Sequence, residues 1–281
     1  MSEKARGWVD PVMRIGYGAR AIVYVIVGGL ALYAAVTGGE AQGTTDALAD
    51  LRGKTWGIAV ILISAVGLFA YAFRRMVDAA LDLDDYGGGI KGAVARGGLV
   101  VTGLIHGAIG VSIAGLALGS SDGGEGGGTQ KVVAYIMSMP YGFLLVGLVG
   151  LATIGAGGYY AWKGIAERYK RHIRVTPTAR TLDPVLKFGC IAMGLVIAVI
   201  GVSIVYAATQ TDPGSAAGIG EALGQIRSFP FGRFLMAVVA LGLIAFAVEN
   251  AVEAVYRIVP RYTGPDVKTM AQWARRKASM S

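Results

Sequence analysis

Apolar residues gather in six runs, near positions 16–37, 57–77, 94–118, 142–163, 184–208 and 232–256. Each run approaches the ~20 residues a helix needs to cross a ~30 Å hydrocarbon core. In lipid, backbone polar groups find partners only in helices or closed barrels. The runs are rich in Gly, Ala, Leu and Val and lack strict alternation, which predicts helices. The expected fold is an all-α membrane protein with six transmembrane helices.

A shorter pattern separates the runs in pairs. Ala47, Leu48 and Leu51 recur at helical spacing, as do Val132, Val133 and Ile136, and Ile219, Ala222, Leu223 and Ile226. Three- and four-residue spacing predicts a short amphipathic helix in each segment. Each is expected to lie flat on the outer surface, its apolar face in the interface.

The span–helix–span pattern occurs three times. Glycine pairs twelve residues apart stand at Gly16/Gly28, Gly98/Gly110 and Gly189/Gly201, with Arg14, Arg96 or Lys187 two places before each pair. Gly57, Gly142 and Gly232 open the second span of each unit. The repeats are therefore 10–80, 90–165 and 183–256, followed by a basic tail, 257–281, all within one membrane domain. Every unit begins and ends on the same side. They are parallel repeats, expected to close into a pseudo-threefold bundle, although an open row of hairpins is also compatible. The six glycines are expected to be packing positions, because small residues let helices approach closely in lipid.

Composition supports the same class. The chain is 54% hydrophobic and 16% charged, against about a quarter charged in soluble domains. Of the 26 Lys and Arg, Arg52, Lys54, Lys131, Arg227 and Arg233 fall on one side. The rest, including Arg20 and Arg74, fall on the side of the termini. That asymmetry places both termini in the cytoplasm of a bacterial inner membrane. It also explains the net charge of +8 without nucleic acid. Lys4 and Arg6 before an apolar run mimic a signal peptide, but the run is long enough to span and its glycine pattern returns twice. The single cysteine, Cys190, excludes an internal disulfide and a multi-thiolate metal site.

The segments Gly16-Tyr17-Gly18-Ala19-Arg20-Ala21-Ile22-Val23-Tyr24 and Gly67-Leu68-Phe69-Ala70-Tyr71-Ala72-Phe73-Arg74 resemble the bacterial membrane proteins called domain of unknown function 1206. That resemblance implies three tandem two-helix units along nearly the whole chain. It implies no catalytic residues and no activity. Units two and three depart from the pattern, with His106 opposite Tyr24 and with Thr102 and Met193 opposite Arg20.

Positions that break the repeat are the candidates for function. His106 lies midway through the third span, where an ionisable residue is a site hypothesis. The competing readings are packing through a backbone hydrogen bond, proton or ligand handling, and metal or haem ligation. His172 is the other histidine, in a loop, so a paired-histidine haem site is disfavoured. Near the inner ends of the second spans, Arg74, Tyr159 and Glu249 align, as do Asp78, Lys163 and Glu253. Arg74 is expected to pair with Glu249, and Lys163 with Glu253 or Asp78. Such a cluster reads as an ion-pair ring fixing helix order or as a polar vestibule.

Asp82, Asp84 and Asp85 form an acidic loop without calcium-hand spacing, so a solvated loop is expected. Residues 119–128 read as a glycine-rich linker. Arg168 to Arg174 and Arg275-Arg276-Lys277 read as basic patches for anionic lipid headgroups at the cytoplasmic face. Met270, Trp273 and Ala274 suggest that the tail lies on the membrane as an amphipathic helix.

No catalytic or nucleotide-binding motif is present, so no enzyme activity is expected. No cofactor is predicted, a bound lipid being the one ligand envisaged. The partners expected are the bilayer, anionic lipids and a membrane-protein partner. The function expected is non-enzymatic, as an accessory subunit or lipid-binding element. The alternative is a transporter or channel with a polar path near His106 and Glu249.

Overall fold

The computed structural model describes residues 3–82, 86–87, 89–119 and 128–257. Asp84 and Asp85, most of the glycine-rich linker, and the tail beyond Arg257 lie outside those residues.

Among the described residues ten α-helices follow in order: α1 (Glu3–Thr37), α2 (Thr44–Ala49), α3 (Gly57–Leu81), α4 (Ile90–Ala117), α5 (Gly128–Met137), α6 (Gly142–Ile165), α7 (Pro177–Thr181), α8 (Asp183–Gln210), α9 (Ile219–Ser228) and α10 (Gly232–Tyr256). The helices α1, α3, α4, α6, α8 and α10 have the length and hydropathy to cross a membrane. The chain is a multi-pass membrane protein. Between α6 and α8 lie a 3-10 turn (Arg168–Arg171) and α7, which the hydrophobic pattern did not predict.

Each short helix turns into the next span at a glycine. A Cβ at Gly57, Gly142 or Gly232 would sit 1.6, 2.0 or 1.8 Å from the carbonyl oxygen of Leu51, Ile136 or Arg227. Only glycine fits so close to a backbone oxygen. Tyr141 and Phe231, just before two of these glycines, take the left-handed conformation at φ 59°.

The spans pack in the succession α4, α3, α1, α10, α8, α6, each against its neighbours. This is sequence order around a ring, interrupted between α4 and α6, where packing on the scale of the other junctions is absent among the described residues. The row is curved: Lys163 on α6 reaches Glu249 and Glu253 on α10, past the intervening α8. Val23 and Val27 of α1, Ile61 of α3, Ile113 of α4, Val196 of α8 and Leu243 of α10 share one buried core.

The repeat glycines account for this arrangement. Gly28, Gly110 and Gly201 face the second span of another unit, α10, α3 and α6 in turn. Their Cβ positions would lie 2.9 Å from Ile244, 3.3 Å from Phe69 and 2.6 Å from Ile154, respectively. Gly16 and Gly189 face the partner helix within their own unit, 2.8 Å from Tyr71 Cα and 2.4 Å from Phe246 N. Three residues on, Ala19 meets Gly67 and Ala192 meets Gly242. The matching positions of the middle unit are Gly98 and Val101 on α4 and Ala152 and Ala156 on α6. All four are exposed, and nothing lies within 4 Å of a Cβ at Gly98. Gly98 is thus not a packing glycine, because the helix that would cover it stands away. Only 28% and 22% of the apolar windows of α4 and α6 are buried, against half or more in the other spans.

The short helices cap the face opposite the termini. Ala47 and Leu48 of α2 and Ala222 and Leu223 of α9 are fully buried in the main core. Their apolar faces pack on the spans rather than lying in lipid. Arg227 donates to the carbonyls of Gly38 and Gly39, and Arg233 to those of Ala35 and Val36. These arginines satisfy carbonyls at the end of α1 that have no partner within the helix.

Candidate functional site

Buried polar side chains concentrate in the half of the bundle nearer the termini. Arg20, on the second turn after Gly16, is 3% exposed. Its guanidinium carbon lies 4.4 Å from the ring centre of Tyr71 and 5.5 Å from those of Tyr24 and Phe246. Nη1 donates to the Tyr71 hydroxyl at 2.9 Å. The same hydroxyl accepts from Arg75 Nε at 2.9 Å, and Arg75 Nη2 donates to the Tyr17 hydroxyl at 2.8 Å. Arg20 has no carboxylate within ion-pair range among the described residues, and its buried Nε–H has no acceptor. Aromatic faces attract a guanidinium but do not neutralise it.

Two residues bring the edges of the interrupted ring to this cage. His106 on α4 packs its ring 4.7 Å from that of Tyr71. Its Nδ1 donates to the Thr102 carbonyl at 2.8 Å, a bond within its own helix. Tyr160 on α6 packs 5.8 Å from Phe246, edge to face. Both are half-buried. Arg20 therefore sits between the residues that α4 and α6 contribute.

A second cluster lies closer to the termini. Lys163 Nζ donates to Glu249 at 2.7 Å and to Glu253 at 3.3 Å. Arg257 donates to Glu253 at 2.6 Å, and Cys190 Sγ approaches Glu249 at 3.9 Å. Arg74 and Arg75 lie 3.4 and 3.7 Å from Asp78. The partner of Glu249 is therefore Lys163 rather than Arg74. Arg74 and Asp78 are four residues apart on α3 and pair locally, while Lys163 extends from α6 to both carboxylates of α10. Tyr159 takes no part: it is 48% exposed against Trp162, and its neighbour Tyr160 faces inward instead. Arg14 donates to the carbonyls of Ala254 and Val255, closing the end of α10.

The loop between α6 and α8 holds a third, exposed group. Glu167 accepts from Lys170 and lies 2.6 Å from Lys187. Hydrogen bonds from Lys170 and Lys187 hold its carboxyl below the ordinary carboxylate range. Hydrogen bonds to Asp183 and Glu167 raise Lys170. Burial, then the hydrogen bond to Asp183, pushes the Tyr169 hydroxyl well up. On the cap face, burial raises Asp46, with Glu221 and Asp50 adding to it. Asp82 uses its carboxylate locally, accepting from the backbone of Tyr86 and Gly87.

Arg20 is the residue that charge counting misplaced. It belongs within the span Pro11–Thr37, not to the terminal face. The available signal was the repeat itself, since Thr102 and Met193 occupy the same position in the other units.

The family model described as "Domain of Unknown Function (DUF1206)" matches residues 15–82, 97–167 and 188–257. The chain belongs to this family. Each matched segment begins at or just before the first glycine of a unit and ends with its second span, so the family unit is one span pair with its cap helix. The chain is also similar to a curated relative, "Uncharacterized protein YxxB" of Bacillus subtilis (strain 168), 24% identical over 261 residues, covering 92% of this chain and 94% of the relative. No solved structure matches.

Proposed function

We propose that this protein is a non-enzymatic lipid-binding element of a bacterial inner membrane, with both termini cytoplasmic. In this reading the three units surround a pseudo-threefold axis. The seam between α4 and α6 stands open, and it receives the chain of a bilayer lipid.

One observation carries the reading. The faces buried against each other in units one and three, Gly16 on Tyr71 and Gly189 on Phe246, have exposed counterparts in unit two, Gly98 and Ala156. Both stay uncovered on apolar helices at a depth where the bilayer is the solvent. An aliphatic chain covers such faces without any polar requirement.

The transport alternative finds less support. Cap-ward of Arg20 the centre is filled by Val27, Ala31, Ile61, Ile113, Val196 and Leu243, all buried. His106 is bonded within its own helix. No polar route connects the two faces through these side chains.

The test is native mass spectrometry of protein extracted in mild detergent. The wild type should carry a retained lipid, and Gly98→Trp, which fills the seam, should lose it while staying monodisperse. A lipid-free wild type, or equal retention in both proteins, would contradict the proposal.

A further inference from the structure

The caged Arg20 gives the seam a chemical preference, and we propose that its occupant is a long-chain carboxylate whose head group binds the Arg20 guanidinium. This inference rests on the lipid-binding reading of the α4–α6 seam and adds the nature of the head.

Three observations converge. The first is charge. Arg20 is buried in a span and no carboxylate pairs with it among the described residues, whereas Lys163, Arg74, Arg75 and Arg257 all have one within reach. A buried charge without a counter-ion is strongly unfavourable, so an anion that enters gains what the fold leaves out.

The second is the supply of donors. The Arg20 Nε–H has no acceptor. The Tyr71 hydroxyl accepts from both Arg20 and Arg75. With both lone pairs taken, its hydrogen is left to donate, and no acceptor for it exists among the described residues. A carboxylate is an acceptor-only group with two oxygens, suited to the open Nε–H, and the spare Tyr71 hydrogen is a further donor on the Nη1 side.

The third is size and depth. Arg20 lies nine residues into the span from Pro11, about 14 Å along the helix. Tyr71, Tyr24 and Phe246 close around it within 4.4 to 5.5 Å. The rings pack directly on the guanidinium, so among lipid heads a carboxylate, with three heavy atoms, asks the least displacement of them. A glycerophosphate head is larger and sits at the membrane surface. The cage is flanked by His106 on α4 and Tyr160 on α6, so the head would rest between the seam's two walls with its chain lying along Gly98, Val101, Ala152 and Ala156.

The experiment uses the full chain in mild detergent, delipidated and titrated with oleate, methyl oleate and a phosphatidylglycerol of matched chain. Binding is read by native mass spectrometry and by the thermal shift. The wild type should prefer oleate over methyl oleate by about tenfold or more, the scale of a charge-assisted hydrogen bond lost. Arg20→Lys should keep methyl oleate binding and cut the preference, because an ammonium lacks the fork. Tyr71→Phe should reduce the preference in part. If Arg20→Lys does not fold, the wild-type comparison with Tyr71→Phe decides. Equal binding of oleate and methyl oleate overturns the carboxylate and leaves the seam reading standing. Stronger binding of phosphatidylglycerol than oleate also overturns it. If neither chain binds, or if both bind undiminished to Gly98→Trp, the seam reading itself fails.

Discussion

Gly16 and Gly98 hold the same place in two repeats, yet a Cβ on Gly16 would lie 2.8 Å from the backbone of Tyr71, while a Cβ on Gly98 would meet nothing within 4 Å. The first unit is closed on itself and the middle unit is not. This difference carries the account of what the molecule does.

Its most immediate consequence is in stability. Gly16→Ala forces a methyl group into the backbone of α3 and should destabilise by about 1–3 kcal/mol, the range of overpacking. Gly98→Ala adds no clash and removes a flexible residue from a helix, so it should be neutral or stabilising by up to about 1 kcal/mol. Thermal unfolding of both variants in detergent checks the order. Equal losses would mean that α4 and α6 are packed together.

Removing Lys163 takes from Glu249 its ion-pair partner and from Glu253 one of its cations. Lys163→Met should therefore cost about 3–5 kcal/mol, as when one partner of a buried pair is lost. Lys163→Met combined with Glu249→Gln should cost much less than the sum of the single changes. Chemical denaturation of the four proteins in a double-mutant cycle measures this coupling. Strict additivity would show that the pair is not formed.

Arg227 and Arg233 should stabilise the end of α1 rather than bind anything. Their joint replacement by alanine should raise amide exchange at residues 34–39 and lower stability by roughly 1–2 kcal/mol, the scale for carbonyls left without partners. Exchange unchanged there, with loss elsewhere, would assign the arginines another role.

The loop knot predicts a pH dependence. Glu167 titrates below its ordinary value of 4.5 because Lys170 and Lys187 donate to it. A lowered carboxylate contributes stability that is present above 4.5 and is lost as pH falls through the folded value. The melting-temperature gap between wild type and Glu167→Gln should thus be open at neutral pH and narrow below 4.5. A gap that does not change with pH would remove the ion pairs from the explanation.

The six spans, the cap helices and the three units were legible because they depend on local hydropathy and on a repeat visible in one chain. The glycines that open the second spans were legible as markers, though not their cause, a carbonyl oxygen within 2.0 Å of where a Cβ would be. The open seam was not legible. Gly98 reads like Gly16 along the chain, and only the distance to α6 separates them. Ion-pair partners were partly hidden for a similar reason, since the reach of Lys163 past α8 depends on how the row curves. Arg20 was hidden by its position: near the start of the apolar run 16–37, an arginine counts equally well as an inner-face charge or as a buried one. Its mismatch with Thr102 and Met193 was the clue that could be read without a structure.

The most direct test is an experimental structure determined in a lipid mesophase. In it α4 and α6 should stand apart, with elongated density between Gly98, Val101, Ala152 and Ala156, ending at Arg20. A structure in which Gly98 packs on Ala156 as Gly16 packs on Tyr71, with no density between the helices, would contradict it.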